Sequence, residues 1–388
     1  NQICLLYLRS WDMKSNYNQL GQYIEMVSRT NSDLKYGIED VRGCSNTKQM
    51  MQTRANLIGR TYEKFIVLRP QEFVFNRRTT RNGEKIGMAY NNTDREYIFT
   101  NDYVAFRVKQ EYLDKLLPDY LYMFFCRDEF DRYARYKSTG SATEFFNWED
   151  MCAVPFEIPP MDFQQLVVNA YKVLNERIET KQKINDNLLA TAQTIFKSWF
   201  VDYEPFDGVC PSTWHIGSVE DIAEFYDSMR KPLSSLERAD MERLYPYYGA
   251  VSIVDYVDDY IFDGEYLLVS EDGIYVVDEN GHPLLQHISG KFWANNHAHI
   301  LKGKAGFNED SLYLFLANTN MAPIVTGAAQ PKINQANLKS FPITIPDADV
   351  LVKFNRLIQP FFDQRLTNVS EIKELETIKE LLLSRLAG

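Results

Sequence analysis

The sequence predicts an α+β protein of two similar domains, separated by two long helices packed as an antiparallel coiled coil with pseudo-twofold symmetry. Three observations point there. One block of sequence occurs twice, β-rich runs broken by turns precede each copy, and an apolar heptad stripe follows each copy.

The block TGSATEFFNWEDMCAVPFEIPPMD (139–162) lies over TGAAQPKINQANLKSFPITIPDAD (326–349) without a gap, 187 positions further on. Thr139/Thr326, Gly140/Gly327, Asn147/Asn334, Pro155/Pro342, Ile158/Ile345, Pro159/Pro346 and Asp162/Asp349 coincide. Upstream, LYMFF (121–125) answers LYLFL (312–316), with four residues of length change between the blocks. A period this long excludes a solenoid, whose units run about 20 to 50 residues. It reads as a duplicated domain.

Residues 20–110 alternate short strand-like runs, YEKFIVLRP and EYIFTNDYVAFRVK, with turn signals at RNGEK (81–85) and NNTD (91–94). A helical stretch follows at 112–136, interrupted at Pro118. The second half repeats this order: strands at YIFDGEYLLVS and FWANNHAHILKG, turns at EDG and ENG, and a helix at EDSLYLFLANT. The expected organisation is a first domain at 1–160, a spacer helix at 161–206, a second domain at 207–347 and a second spacer helix at 348–388.

The two connecting segments carry the heptad. Val167, Tyr171, Leu174, Ile178, Leu188, Ala192, Ile195 and Trp199 recur at spacings of four and three, with Lys181 and Asn185 in mid-stripe. The C-terminal stripe has Phe354, Ile358, Phe361, Ile372, Leu375, Leu382 and Leu386, and its centre holds Arg365 and Asn368. Such spacing makes a coiled-coil seam, where mid-seam polar residues cost stability but fix register. An antiparallel pairing brings the polar middles together. Pro360 is expected to interrupt and kink the second helix. Helices packed separately, each on its own domain, are the alternative. Residues 163–200 as one helix would span about 57 Å, up to one and a half turns of duplex DNA at roughly 34 Å per turn.

Composition bounds the rest. The chain has 388 residues, 45% hydrophobic, enough for two or three domains. No apolar run reaches the roughly 18 residues of a membrane span, and no signal peptide is evident. Cys4, Cys44, Cys126, Cys152 and Cys210 are scattered without a CxxC pair, which fits reduced thiols in a cytoplasmic protein. The opening NQICLLYLRSWD lacks a start Met, and Met13 looks like the natural beginning. Net charge is −11, and the excess acid sits almost wholly in 213–347, with 19 acidic against 9 basic residues. Contact with a polyanion there must rest on a local patch.

Signatures of chemistry are missing. GKF and GKA lack the preceding glycine and the Ser/Thr of a phosphate loop, the only PP is in IPPM, not in an adenine-methylase motif, and no carboxylate–lysine nuclease set stands out. His297 and His299 would share one face of a strand, but such pairs are more often structural than metal ligands. No metal and no catalytic residue is assigned. Basic and amide clusters suit contact with phosphates and base edges. NRRTTRNGEK supplies Arg77, Arg78, Arg81 and Lys85; RYARYK supplies Arg132, Arg135 and Lys137 among tyrosines; QPKINQAN supplies Lys332, Asn334, Gln335 and Asn337. Solvated hairpins and helix surfaces are the plainer alternative. Tyr247 and Tyr248 either flank the second contact face or lie in the core.

INDNLLATAQTIFKSWFVDYEPF (184–206) resembles the central conserved region of type I restriction-modification specificity subunits. YYGAVSIVDYVDDYIFDGEYLLVSEDG (247–273), SGKFWANNHAHILKG (289–303) and TGAAQPKINQANLKSFPITIP (326–346) resemble that family's second target-recognition domain; 20–138 carries less of the pattern. The resemblance implies a non-catalytic subunit that reads a bipartite, asymmetric sequence of double-stranded DNA, one domain per half-site. It implies helices that dock two modification (methyltransferase) subunits, with restriction subunits joining the complex. S-adenosylmethionine would serve the modification subunits and ATP with Mg the restriction subunits, with no cofactor in this chain. The acidic second domain motivates a different class, a scaffold whose domains bind protein.

Overall fold

The computed structural model describes residues 18–53, 57, 59–79, 85–140, 144–273, 276–327 and 329–387. Arg81 and the first dozen residues lie outside them. The chain divides into two compact units, 1–178 with 373–388, and 179–372.

In the first unit, β1 (Asn18–Gln19), β2 (Ile24–Val27), β3 (Arg42–Cys44), β4 (Met50–Gln52), β5 (Ile66–Leu68), β6 (Phe73–Asn76), β7 (Met88–Tyr90), β8 (Tyr97–Phe99) and β9 (Tyr103–Val108) precede the helices. A four-stranded antiparallel sheet runs β2-β9-β6-β7, beside the pairs β3-β4 and β5-β8. Period-two alternation between two buried faces explains why Phe73, Val74 and Phe75 of β6 are all apolar. Phe73 and Phe75 enter one core with Phe106, while Val74 enters another with Ala105 and Phe99. Helices α1 (Pro118–Phe125), α2 (Asp128–Lys137) and α3 (Trp148–Cys152) follow, then β10 (Pro155–Phe156), paired with β1. Pro118 does not interrupt a helix. It opens α1 at the first helical position, where a missing N–H costs nothing, and the preceding residues form only a 3₁₀ turn at Gln110–Tyr112.

The second unit has β11 (His215–Ser218), α5 (Val219–Ile222), β12 (Ala223–Phe225), α6 (Ser235–Ala239), β13 (Tyr245–Tyr248), β14 (Ile253–Val257), β15 (Phe262–Ser270), β16 (Leu285–Ala294), β17 (Ala298–Gly303), α7 (Glu309–Ala317), α8 (Gln335–Lys339) and β18 (Pro342–Ile345). Its six-stranded sheet runs β12-β17-β15-β16-β13-β14, antiparallel except for β13 against β16; β11 pairs with β18.

The long helices are α4 (Met161–Phe200) and α9 (Ala348–Ser384), and each contributes to both units. In the first unit Val167, Tyr171 and Leu382 pack into the core, Leu375 is buried, and Lys379 Nζ donates to Asn175 Oδ1. Leu174 is half-buried and Ile178 buried on the same stripe. In the second unit Phe196 and Trp199 meet Phe354, with Ala192, Ile358 and Phe361 in or against the same core. Ascending numbers on α4 meet descending numbers on α9 in each unit, so the pairing is antiparallel.

The polar middles meet as expected. Buried Asn368 donates to Asn185 Oδ1 (2.8 Å) and accepts from Lys181 Nζ (3.4 Å) and Gln364 (3.1 Å), while Lys181 pairs with Glu371. Leu188 and Arg365 are half-buried on the stripe. Contrary to expectation, α9 runs unbroken through Pro360. Pro360 is exposed, so the carbonyl it leaves without a helical donor sits on the solvent side of the helix.

Candidate nucleic-acid interface

The recurring block builds the same device in both units. Thr139 and Phe145 exchange backbone hydrogen bonds (3.2 and 2.9 Å), as do Thr326 and Lys332 (2.8 Å each). Two residues on, an asparagine starts a short helix. Asn147 N donates to Asp150 before α3, and Asn334 Oδ1 accepts from Asn337 N before α8. Next come an edge strand, β10 or β18, and the long helix. Each turn is stitched to a central strand's end, Phe146 N to Arg77 O and Ile333 N to Glu271 O, both at 2.9 Å. Gly327 holds φ +85°, and a Cβ there would lie 2.3 Å from Gln330 O. Only glycine fits that turn.

In the first unit this turn gathers basic residues that are far apart in sequence. Exposed Arg77 and Arg78 flank the stitched strand end, with Arg78 bridged to Phe145 and ion-paired with Asp102 at 3.5 Å. Arg135, near the end of α2, pairs with Glu144 of the turn at 2.7 Å. Lys85 pairs with Asp128 at the start of α2 (3.3 Å) and Arg132 with Glu129 (3.0 Å). Lys137 lies near the Tyr133 and Tyr136 rings, 5.8 Å from each centroid. Two basic stretches separate in sequence therefore meet on one surface. Their ion pairs are exposed and weak, each worth about 0–1 kcal/mol, so a phosphate can compete for these cations. Beneath them the β3–β4 hairpin is pinned to α2. Buried Lys48 pairs with buried Asp131 and donates to Ile86 O (2.9 Å), and Ile86 N donates to Asp131 (3.0 Å).

The second unit fastens its turn with charge. Gln335 donates to Asp227 Oδ2 (2.7 Å) and Lys332 pairs with Glu271 (2.9 Å). Arg230 joins both carboxylates, at 2.5 Å from Glu271 and 3.3 Å from Asp227. His299, fully buried, places Nδ1 2.6 Å from Asp227 Oδ2 and donates from Nε2 to Ile333 O (2.8 Å). Burial alone would raise both carboxyls. Contacts with His299 and Arg230 outweigh it for Asp227, and contacts with Arg230 and Lys332 do so for Glu271, so both fall below their ordinary range. Asp227, Glu271 and His299 offer ligand-type atoms within 4.8 Å of one another, but Arg230 and Lys332 already neutralise the carboxylates, which makes the group an ion network. Asn337 donates to Ile324 O at 3.4 Å. Lys332, Asn334, Gln335 and Asn337 thus all have partners inside the unit.

His297 and His299 do not share a strand face. His297 sits in the turn before β17, 2.6 Å from Asp272, and only His299 is on the strand. Tyr247 is buried, its hydroxyl accepting from Leu233 N (2.9 Å), while Tyr248 is half-buried. Nothing in the local sequence marked Asp227, Arg230 or Glu271; their role depends on strand pairing across dozens of residues.

A family model described as a type I restriction modification DNA specificity domain matches residues 211–381. A type I restriction enzyme specificity subunit of Haemophilus influenzae is 36% identical over 140 residues, 36% of this chain and 35% of that protein. The match thus spans about a third of that relative. The MjaIX specificity subunit of Methanocaldococcus jannaschii is 24% identical over 302 residues, 70% of this chain and 69% of the relative. Among solved structures, the S subunit of a type I restriction-modification system from M. genitalium shares the fold, with a TM-score of 0.50 over 97% of each chain at 13% identity.

Proposed function

We propose that this chain, which matches the type I restriction modification DNA specificity domain over 211–381 and resembles specificity subunits over up to 70% of its length, belongs to that family and is the sequence-reading, non-catalytic subunit of such a complex. In this reading 1–160 and 207–347 each read one half of a bipartite, asymmetric DNA target. The helices at 161–206 and 348–388 set the gap and dock two modification subunits, which carry S-adenosylmethionine. Restriction subunits add ATP-driven chemistry, and the complex works in the cytoplasm. Among the described residues no helix is long and apolar enough to cross a membrane.

The observation that carries the reading is the doubled turn, cap and edge strand, placed in the first unit under Arg77, Arg78 and Arg135. A duplicated reader suits a target with two specified parts. The test is a duplex competition with modification subunits present, repeated over a salt series. Binding through phosphates weakens steeply as salt rises. Preference for one sequence, with that slope, is expected. Salt-insensitive binding without sequence preference would favour the protein-scaffold alternative, which the acidic second domain motivates.

A further inference from the structure

His287 Nε2 on β16, Asp310 Oδ1 on α7 and Arg365 Nε on α9 are among the buried polar atoms of the second unit that meet no hydrogen-bond partner among the described residues. His287 stands 5.8 Å from the Phe362 ring and Arg365 5.4 Å from it. His287 Nδ1 lies 3.6 Å from Asp310 Oδ1, and both side chains are more than nine-tenths buried. Buried polar groups without partners are rare in native proteins and call for a reason.

The equivalent place in the first unit is built differently. Phe73 and Leu267 each lie four residues before the stitched positions Arg77 and Glu271, so their cross-strand partners Tyr90 and His287 are counterparts. The 191-residue offset of α1 and α7 makes Asp119 the counterpart of Asp310 and Tyr122 that of Tyr313. There Tyr90 stacks on Tyr122, and Asp119 is ion-paired with Lys172 of α4 at 3.2 Å. One unit thus ties this helix to the long helix with an ordinary ion pair. The other buries the carboxyl beside an imidazole.

We propose that Asp310 is a proton-controlled joint between the second unit's sheet and its long helix: as a neutral acid it donates to Nδ1 of His287, and after releasing its proton to solvent it accepts from Nε of Arg365. The surroundings fit both states. Burial pushes the Asp310 carboxyl up to about 7, helped by Glu265 on β15, Asp363 on α9 and Glu309 on α7, against Arg365. Burial and Arg365 push His287 down to about 4, which leaves its ring neutral and able to accept. Tyr313 on α7 also faces Phe362, and its hydroxyl is raised by burial, so it stays neutral.

Asp310 holds more protons folded than unfolded between about 4 and 7, so its contribution to stability falls as pH rises through that window; His287 holds fewer between about 4 and 6.5, and its contribution rises. In the wild type the two nearly cancel. The test is amide exchange at 285–294, 309–317 and 348–372 of the full chain over that pH range. Relative to wild type, Asp310→Asn should gain protection about tenfold per pH unit as pH rises, and His287→Tyr should lose it at about the same rate. Profiles of both variants parallel to the wild type would overturn the joint. Should either variant fail to fold, the side-chain carbon shift of Asp310 in the wild type decides: a midpoint near neutrality supports the joint, and an ordinary carboxylate midpoint overturns it.

Discussion

Replacing Lys48 by Met should unfasten the basic surface of the first unit from below. Lys48 and Asp131 side chains are 3% and 6% exposed, so removing the ammonium strands a carboxylate in the core with only Ile86 N–H to hold it. Stranding one member of a buried pair costs about 3–5 kcal/mol. Burial already works against charge on both, pushing Lys48 down and Asp131 up, so little solvation remains to absorb the loss. At roughly 2–4 °C per kcal/mol for a unit of this size, the first unit's melting point should fall by about 6–20 °C. Lys48→Met with Asp131→Asn removes the stranded charge and should recover a good part of that fall. The readout is thermal unfolding followed by exchange at 42–52 and 128–137. If the double variant is as unstable as the single one, or the single loss is under about 1 kcal/mol, the pair does not carry the hairpin.

Other perturbations follow from the same geometry. Gly327→Ala should lower the second unit's stability by more than about 1 kcal/mol, since strain at positive φ adds to the 2.3 Å approach to Gln330 O; a melting point within error of wild type would contradict this. Asn368→Ala removes a donor to Asn185 and an acceptor for Lys181, and should cost about 1–3 kcal/mol in denaturant unfolding of the second unit. Asp227 and Glu271 have depressed folded values, so their contribution is full above the ordinary carboxylate range and lost as pH falls through the folded values. Exchange should therefore show 326–339 opening on acidification before 144–152. Arg77→Ala should weaken DNA binding and reduce the salt slope by about one if it holds a phosphate; an unchanged slope assigns Arg77 elsewhere.

Sequence reading reached the parts governed by short-range periodicity. The stripe through Val167, Tyr171 and Leu174 and its partner through Phe354 and Leu375 are legible because heptad spacing alone decides which face is apolar, and Lys181, Asn185 and Asn368 were visible as polar breaks in it. The doubled block was legible as a repeat, but not its mechanics: a backbone stitch, a cap and a short helix leave few demands on side chains beyond Thr, Gly and Asn. What local pattern could not show is pairing at a distance. Lys332 and Gln335 read as a free ammonium and a free amide until the ends of β15 and β12 bring Glu271 and Asp227 to them. Arg77 and Arg135 looked like separate clusters because their meeting depends on the turn at 139–147. Pro118 and Pro360 read as breaks from their type alone. Position within the helix decided otherwise, one at a first turn and the other on a solvent face.

The most direct measurement is a map of methylated adenines in DNA from cells that carry this chain with its modification subunits, before and after 1–160 is exchanged for the matching segment of another family member. Two recognised parts split by an unspecified gap are expected, and the exchange should rewrite one part while the other stays unchanged. A single uninterrupted motif, or an exchange that alters both parts or neither, would contradict one reader per half-site.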